Sequence, residues 1–298
     1  MRRLTPLFVP VLLIIPVGAA EMSVAEPPRL FQIGMMDSLF EETDEKRILA
    51  QMQPFVELVK KRTGLAGEFQ VVRGVDKMRE GLKSGKLSLG VVLGLDYAWL
   101  RIDVPDAVPL VVAVNESTTM KAHVLVHKDS EVKQLADLKD KPLALPRRTP
   151  RFARFYLERE MQQLFAHPLA QPLAQVFKVQ ESADAEEAIE SVIDRTAEAT
   201  LITALGLDVY RQRKPVRFNR LRVLHDSPEF PTPAVIYRPG TAKEEDARRF
   251  RDALLRSNDT AEGQQTLTLW RLTGFRTPPA EYVKQVDELA KRYPRDGK

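Results

Sequence analysis

Residues 124–145 read VLVHKDSEVKQLADLKDKPLAL. The opening VLVH completes an apolar run, residues 122–127, of strand length and with the branched side chains that fit a pleated sheet. Asp129-Ser130 interrupts it, since both side chains compete for nearby backbone groups and favour turns. Leu135 and Leu138 then mark a short helix, and Pro142 to Leu145 is a second apolar run. A strand, a short helix and a strand in immediate succession is the pattern of an α/β sheet whose connections are helical.

The same alternation extends in both directions. Upstream, strands are expected at 29–35, 68–73, 87–93 and 108–114, with Met36-Asp37-Ser38 as a loop after the first. A helix capped by Thr43 or Asp44 carries Met52, Phe55, Val56 and Val59 on one face and stops at Thr63-Gly64. Another carries Val75, Met78 and Leu82 and stops at Ser84-Gly85. The character of the chain changes after Asn115. Downstream, a helix is expected from Phe152 to Phe165, a strand at 174–179, and a helix on Ala185, Ala188, Ile189, Val192 and Ile193. A strand at Ala199–Thr203, a short helix at Leu205–Tyr210 and strands at 221–225 and 234–238 follow. Thr241 with Glu244 reads as a capping box. Asp259 or Thr260 starts a further helix, and Pro279 suits the first turn of the last, with Tyr282, Val286 and Leu289 on its buried face. The terminal PRDGK reads as frayed.

The N-terminus sets the compartment. Arg2 and Arg3 precede a short apolar run, LTPLFVPVLLIIPV, that three prolines interrupt, and small residues follow it. This is the layout of an export signal, spanning residues 1–25 with cleavage after Ala25; Ala20 is the second choice. The run is too short to cross a bilayer, and nothing later approaches 18 continuous apolar residues, so a soluble periplasmic protein is expected. With no cysteine among 298 residues, a disulfide framework, a cysteine nucleophile and thiolate metal ligation are excluded. The net charge of +4 is too small to argue for nucleic acid or an anionic membrane. The basic stretch Arg211, Arg213, Lys214, Arg217, Arg220 and Arg222 has only Phe218 among it, and reads as a solvated connector.

Three passages carry a resemblance. LKSGKLSLGVVLGLDYAWL (82–100) resembles the passage of helix, Ser-Gly-Lys, strand, and glycine-to-tyrosine turn in solute-binding proteins that deliver phosphonates and related compounds to ABC importers. VLVHKDSEVKQLADLKDKPLAL is similar to that family's strand, Asp-Ser, Leu-x-x-Leu-Lys turn and second strand. LHDSPEFPTPAVIYRPG (224–240) resembles its return passage with a Ser-Pro-x-x-Pro segment. The resemblance implies an α/β, two-lobed type 2 periplasmic-binding-protein fold, each lobe a mixed sheet flanked by helices. Residues 28–115 and 222–298 would form lobe 1, and the inserted segment 116–221 would form lobe 2. Two crossovers would hinge, and ligand would sit in the cleft.

Ligand-binding candidates follow at strand ends and helix starts, where backbone amides are free. Asp37 and Ser38 end the first strand; Asp37 suits a ligand amine and Ser38 a ligand oxygen, although an ordinary turn would use them as caps. Tyr97 matches the family tyrosine, and offers an apolar face and one hydroxyl; packing is the competing role, and the family's proline near Asp96 is missing. Thr118 and Thr119 stand where the chain enters the second lobe, as ligand contacts or as a polar hinge. The family places a Ser-Thr-Ser-Gly-like loop where this chain has Pro146-Arg147-Arg148-Thr149-Pro150-Arg151. Only Thr149 keeps that character. Arg147 or Arg148 would instead clamp a carboxylate or other oxyanion, unless both only solvate the surface. Thr203 is placed to line the cleft from the second lobe.

An enzyme is not expected. No Gly-x-Ser-x-Gly elbow, Gly-rich nucleotide loop or pair of glycosidase carboxylates is evident. His123 and His127 lie ~13 Å apart on a strand, too far to share an ion, so neither metal nor cofactor is implied. The expectation is an extracytoplasmic solute-binding protein. It closes around a small polar or anionic ligand and presents it, as a monomer, to an ABC permease. A sensory or adaptor protein signalling to a membrane receptor is the alternative.

Overall fold

The computed structural model describes residues 31–39, 45–65, 67–115, 117–166, 172–270 and 272–295. The expected leader and the Thr43 or Asp44 cap lie outside the described residues.

Three βα units open the chain: β1 (Phe31–Met36) with α1 (Glu45–Thr63), β2 (Gly67–Val72) with α2 (Val75–Ser84), and β3 (Leu89–Val92) with α3 (Gly94–Asp103). Then β4 (Val108–Val114) leads to the short β5 (Thr119–Met120) and into a second set, β6 (Ala122–His127), β7 (Pro142–Pro146) and α4 (Arg151–Leu164). One turn of helix, α5 (Leu173–Val176), precedes β8 (Lys178–Ser182), α6 (Ala185–Ile193), β9 (Ala199–Thr203), α7 (Ala204–Arg213), α8 (Pro215–Phe218) and β10 (Leu221–Asp226). The chain returns through β11 (Phe230–Pro231) and β12 (Ala234–Tyr237), then α9 (Glu244–Leu255), α10 (Ala261–Leu269), β13 (Gly274–Arg276) and α11 (Tyr282–Arg292).

Two separate sheets result. The first has strand order β13-β4-β12-β3-β1-β2, with β1 parallel to β2 and β3, and β12 antiparallel to β3 and β4. The second has order β10-β6-β9-β7-β8, with β7 parallel to β8 and β9 and β6 antiparallel to its neighbours. Between them β5 and β11 pair as an antiparallel ribbon, Thr119 opposite Pro231 and Met120 opposite Phe230, so the two passages between sheets are tied together. The return expected at 222 falls inside β10, whose bonds to β6 keep it in the second sheet; the chain leaves that sheet only at Ser227.

Core and caps follow the pattern read from the sequence in most places. Val75, Met78 and Leu82 are buried, and Gly85 closes α2 in the left-handed region at φ 73°. The Thr260 hydroxyl caps α10 by accepting from the Gly263 amide at 3.2 Å. Tyr282, Val286 and Leu289 are buried on α11. Three expectations fail. Pro279 stands ahead of α11, whose N-cap is Glu281, rather than in its first turn. The apolar segment read as a strand at 174–179 instead forms the turn α5, burying Leu173 and Val176, and the strand itself is the polar edge β8, which lacks apolar alternation. No capping box forms at Thr241: its hydroxyl donates to the carbonyls of Arg238 (2.7 Å) and Ser88 (3.0 Å), and α9 starts later, with Lys243 at its N-cap.

The basic stretch is largely matched. Lys214 pairs with Glu186 and Glu190, both at 2.8 Å, Arg217 with Asp194 at 2.7 Å, and Arg211 with Asp208 at 2.8 Å. α4, rooted in the second sheet, also packs against first-sheet elements. Phe155 meets Trp99 of α3 with ring centres 5.4 Å apart, and Tyr293 at 5.9 Å. Arg159 donates to the Pro294 carbonyl at 3.0 Å.

Candidate functional site

The C-terminal ends of β1, β2 and β3 deliver three loops to one edge of the first sheet, facing the second. After β1, Asp37 and Ser38 form a single helical turn. The Asp37 carboxylate accepts from the Ser38 amide (3.0 Å) and from the amide of Gly74, which precedes α2 (3.3 Å). After β3, Asp96 sits in the first turn of α3, only 2 % exposed, and accepts a hydrogen bond from the Ser38 hydroxyl. Burial pushes the Asp96 carboxyl above its ordinary value, while the Ser38 bond and the charge of Arg151 act against that rise. Arg151 is the first residue of α4, on the second sheet's side, and is exposed. As the first residues of that helix, Arg151 and Phe152 have amides outside its hydrogen-bond ladder.

The C-terminal segment adds a second cation. Tyr293 is buried, with its carbonyl accepting from Trp99 Nε1 at 2.8 Å, and Arg295 donates twice to Asp76, at 2.9 and 2.5 Å. Of the PRDGK segment expected to fray, Pro294 and Arg295 are described and Arg295 is held by Asp76; the rest lies outside the described residues.

The candidates read from the sequence scatter. Asp37 and Ser38 are at the site, half-buried. Thr118 and Thr119 lie in the ribbon between the sheets; the Thr118 carbonyl accepts from both the amide and the hydroxyl of Thr232, at 3.3 and 3.2 Å, and the Thr119 amide donates to Ser117 Oγ at 3.1 Å. Thr203 Oγ1 caps α7, accepting from the Gly206 amide at 3.2 Å. Tyr97 is fully buried, its hydroxyl donating to the Ala107 carbonyl at 2.9 Å and its ring stacked on Tyr282. That is a packing role: one residue beyond Asp96 on a helix, Tyr97 points into the core. Thr149 is buried too, its hydroxyl donating to the Pro146 carbonyl at 2.6 Å, so the turn before α4 consumes it. Arg147 is largely exposed, beside Glu181 at 3.9 Å, and Arg148 is exposed. Arg151 is exposed too, but its charge acts on the buried Asp96 carboxyl.

Asp96, Arg151 and Arg295 were not singled out from the sequence. The signal for Asp96 is a lone charge in GVVLGLDYAWL, directly after a buried strand. Arg295 has no local signal, because only the packing of α11 brings it to α2.

A family model described as "ABC transporter, phosphonate, periplasmic substrate-binding protein" matches residues 39–282. The chain belongs to this family. It is a substrate-binding protein of an ABC importer, and membership implies an exported protein with a small solute and a membrane permease as partners. Among solved structures, XAC2383 from Xanthomonas citri bound to chloride ion is 17% identical, covers 89% of this chain and 97% of its own, and superposes with a TM-score of 0.60. PhnD1 from Prochlorococcus marinus in complex with methylphosphonate is 14% identical, covering 89% and 98%, with a TM-score of 0.57. A binding protein component of an ABC phosphonate transporter from Pseudomonas aeruginosa (PA3383) is 15% identical, covering 87% and 85%, with a TM-score of 0.53. These likenesses show the two-lobed type 2 fold. No curated protein matches the chain. Among the described residues of this substrate-binding protein, no helix is long and apolar enough to cross a membrane.

Proposed function

We propose that this protein captures a small polar or anionic solute between its two lobes, at the Ser38–Asp96 pair, and closes over it for the permease. The carrying observation is Arg151: a cation from the second lobe whose charge reaches a buried carboxylate of the first. In this reading Arg151 and the start of α4 take the solute's anionic end, and Asp37 and Ser38 take a donor at its other end. Thr118 and Thr119 act through the β5–β11 ribbon as the hinge, and Thr203 acts as a cap. The first lobe holds 31–115 and 228–295, the inserted lobe 117–227, and the protein works as a monomer. Residues 1–25 serve as the export leader, so sequencing the exported chain reads Glu26 first; retention of Met1 in a membrane fraction would refute that.

Native mass spectrometry of protein purified from its own host identifies the co-purified solute. With that solute, Arg151→Ala weakens binding about 10- to 150-fold, the equivalent of a charged hydrogen bond of roughly 1.5–3 kcal/mol. An affinity within about twofold of the parent protein overturns the assignment.

A further inference from the structure

A groove runs along α4 and includes Arg151. Arg151, Arg154, Phe155 and Glu158 line it at the spacing of one helix face, with Trp99 of α3 and Arg295 of the C-terminal segment opposite. Three guanidinium groups from two lobes thus share one opening. Their charges are unevenly met. Arg295 is bound by Asp76. Glu158 is the groove's own carboxyl; burial pushes it up, while a hydrogen bond from the Leu173 backbone and then the charges of Arg154, Arg159 and Arg151 pull it back. Arg154 donates through Nη2 to the Arg147 carbonyl at 3.2 Å, yet its Nε, shielded from solvent, has no acceptor among the described residues. A shielded donor without an acceptor is costly, and turning the Arg154 guanidinium toward a ligand oxygen in the groove would relieve it. The apolar surface is Phe155 of α4 itself, which stays partly open: its ring meets the buried Trp99 ring edge to face at 5.4 Å and carries the Arg159 guanidinium 4.9 Å from its centre.

We infer that this groove binds an oxyanion attached to a planar apolar group, its oxygens on Arg151, Arg154 and Arg295 and its apolar body on Phe155 and Trp99. The inference rests on the interlobe reading above and adds the solute's class and size. Guanidinium forks suit phosphonate, phosphate and carboxylate alike. The aromatic wall favours a flat substituent over a methyl group, because ring-on-ring packing adds to area burial.

The test is calorimetry on the whole mature protein with two probes, phenylphosphonate and methylphosphonate. Phenylphosphonate is expected to bind at least about tenfold tighter. Arg154→Gln should weaken phenylphosphonate by about tenfold or more. Phe155→Leu, which keeps an apolar side chain against Trp99 and Tyr293, should shrink the preference to less than about threefold. Thermal melts establish that each variant is folded. Equal affinity for the two probes, no saturable binding of either up to about 10 mM, or an Arg154→Gln protein that binds as the parent does would each overturn the groove assignment. Ser38→Ala separates the two readings: if it abolishes binding while Arg154→Gln does not, solute sits at the Ser38–Asp96 pair alone. In that case the interlobe reading stands and the groove does not.

Discussion

Gly94→Ala is the sharpest test of how the site is built. Gly94 is the first residue of α3, between β3 and the buried Asp96. A β-carbon added there would lie 2.1 Å from the Pro231 carbonyl oxygen and 2.8 Å from its carbon. That is over 1 Å inside the roughly 3.3 Å at which carbon and carbonyl oxygen normally meet. The oxygen cannot swing aside, because Pro231 pairs with Thr119 in the interlobe ribbon and its neighbour Thr232 is held by Thr118 and accepts from the Tyr282 hydroxyl at 2.6 Å. Overpacking costs about 1–3 kcal/mol, and a backbone clash belongs at the upper end. Reduced freedom of the unfolded chain offsets ~0.4–1 kcal/mol of that. The net loss of about 2 kcal/mol lowers the melting temperature by about 3–4 °C for a protein of this size. Gly67→Ala is the control: its β-carbon would meet only ordinary contacts at 3.5 Å, so its melt should be unchanged or slightly raised. Differential scanning calorimetry of both variants decides the matter. If Gly94→Ala melts within about 1 °C of the parent, the close packing of α3 against the ribbon is wrong.

Asp96→Asn probes the buried carboxyl. Its native pKa is raised above 3.8, so the native state binds the proton more tightly, and stability on its account is lost as pH rises through the native value. The asparagine variant should therefore gain on the parent in thermal melts as pH rises above about 4 while losing solute affinity; a pH-independent difference refutes this. Glu190 has the opposite sign. Burial would raise its pKa, but bonds from Lys214, Tyr210 and Arg217 outweigh it, so the carboxylate stabilises the fold above 4.5 and loses that effect as pH falls through the lowered native value. Glu190→Gln should melt lower at neutral pH, with the gap closing in acid; a gap that persists at about pH 2 argues against the ion-pair account. Tyr97→Phe should cost about 0.5–1.5 kcal/mol of stability by removing the bond to Ala107, without changing solute affinity; a large affinity loss would return Tyr97 to the site.

The periodic parts of this fold were readable because local sequence decides them. Val75, Met78 and Leu82 can share a buried face only as a helix, the run at 122–127 reads as a strand on length and branching, and that at 142–145 on length. Reading failed where local and tertiary preferences diverge. The segment 173–182 carries its apolar residues in a helical turn and its strand in polar sequence, because an edge strand needs few buried side chains. The site shows the same division. Asp37 and Ser38 were found because they follow a strand directly, and strand ends are where open α/β sheets collect ligands. Arg151 was passed over for Arg147 and Arg148, which sit in the loop that the family fills with hydroxyls. The loop here is a tight turn: Thr149 bonds back to Pro146, Pro150 ends it, and α4 begins at Arg151. The first arginine with helical geometry is therefore the one whose charge acts on Asp96, although all three arginines are exposed. Arg295 lay beyond any local rule. Its position depends on α11 packing against α3 and on the buried Tyr293 carbonyl accepting from Trp99, which carries the last residues back toward Asp76 at the start of α2. A site assembled from two lobes and the chain's end can be read residue by residue only at its contiguous parts.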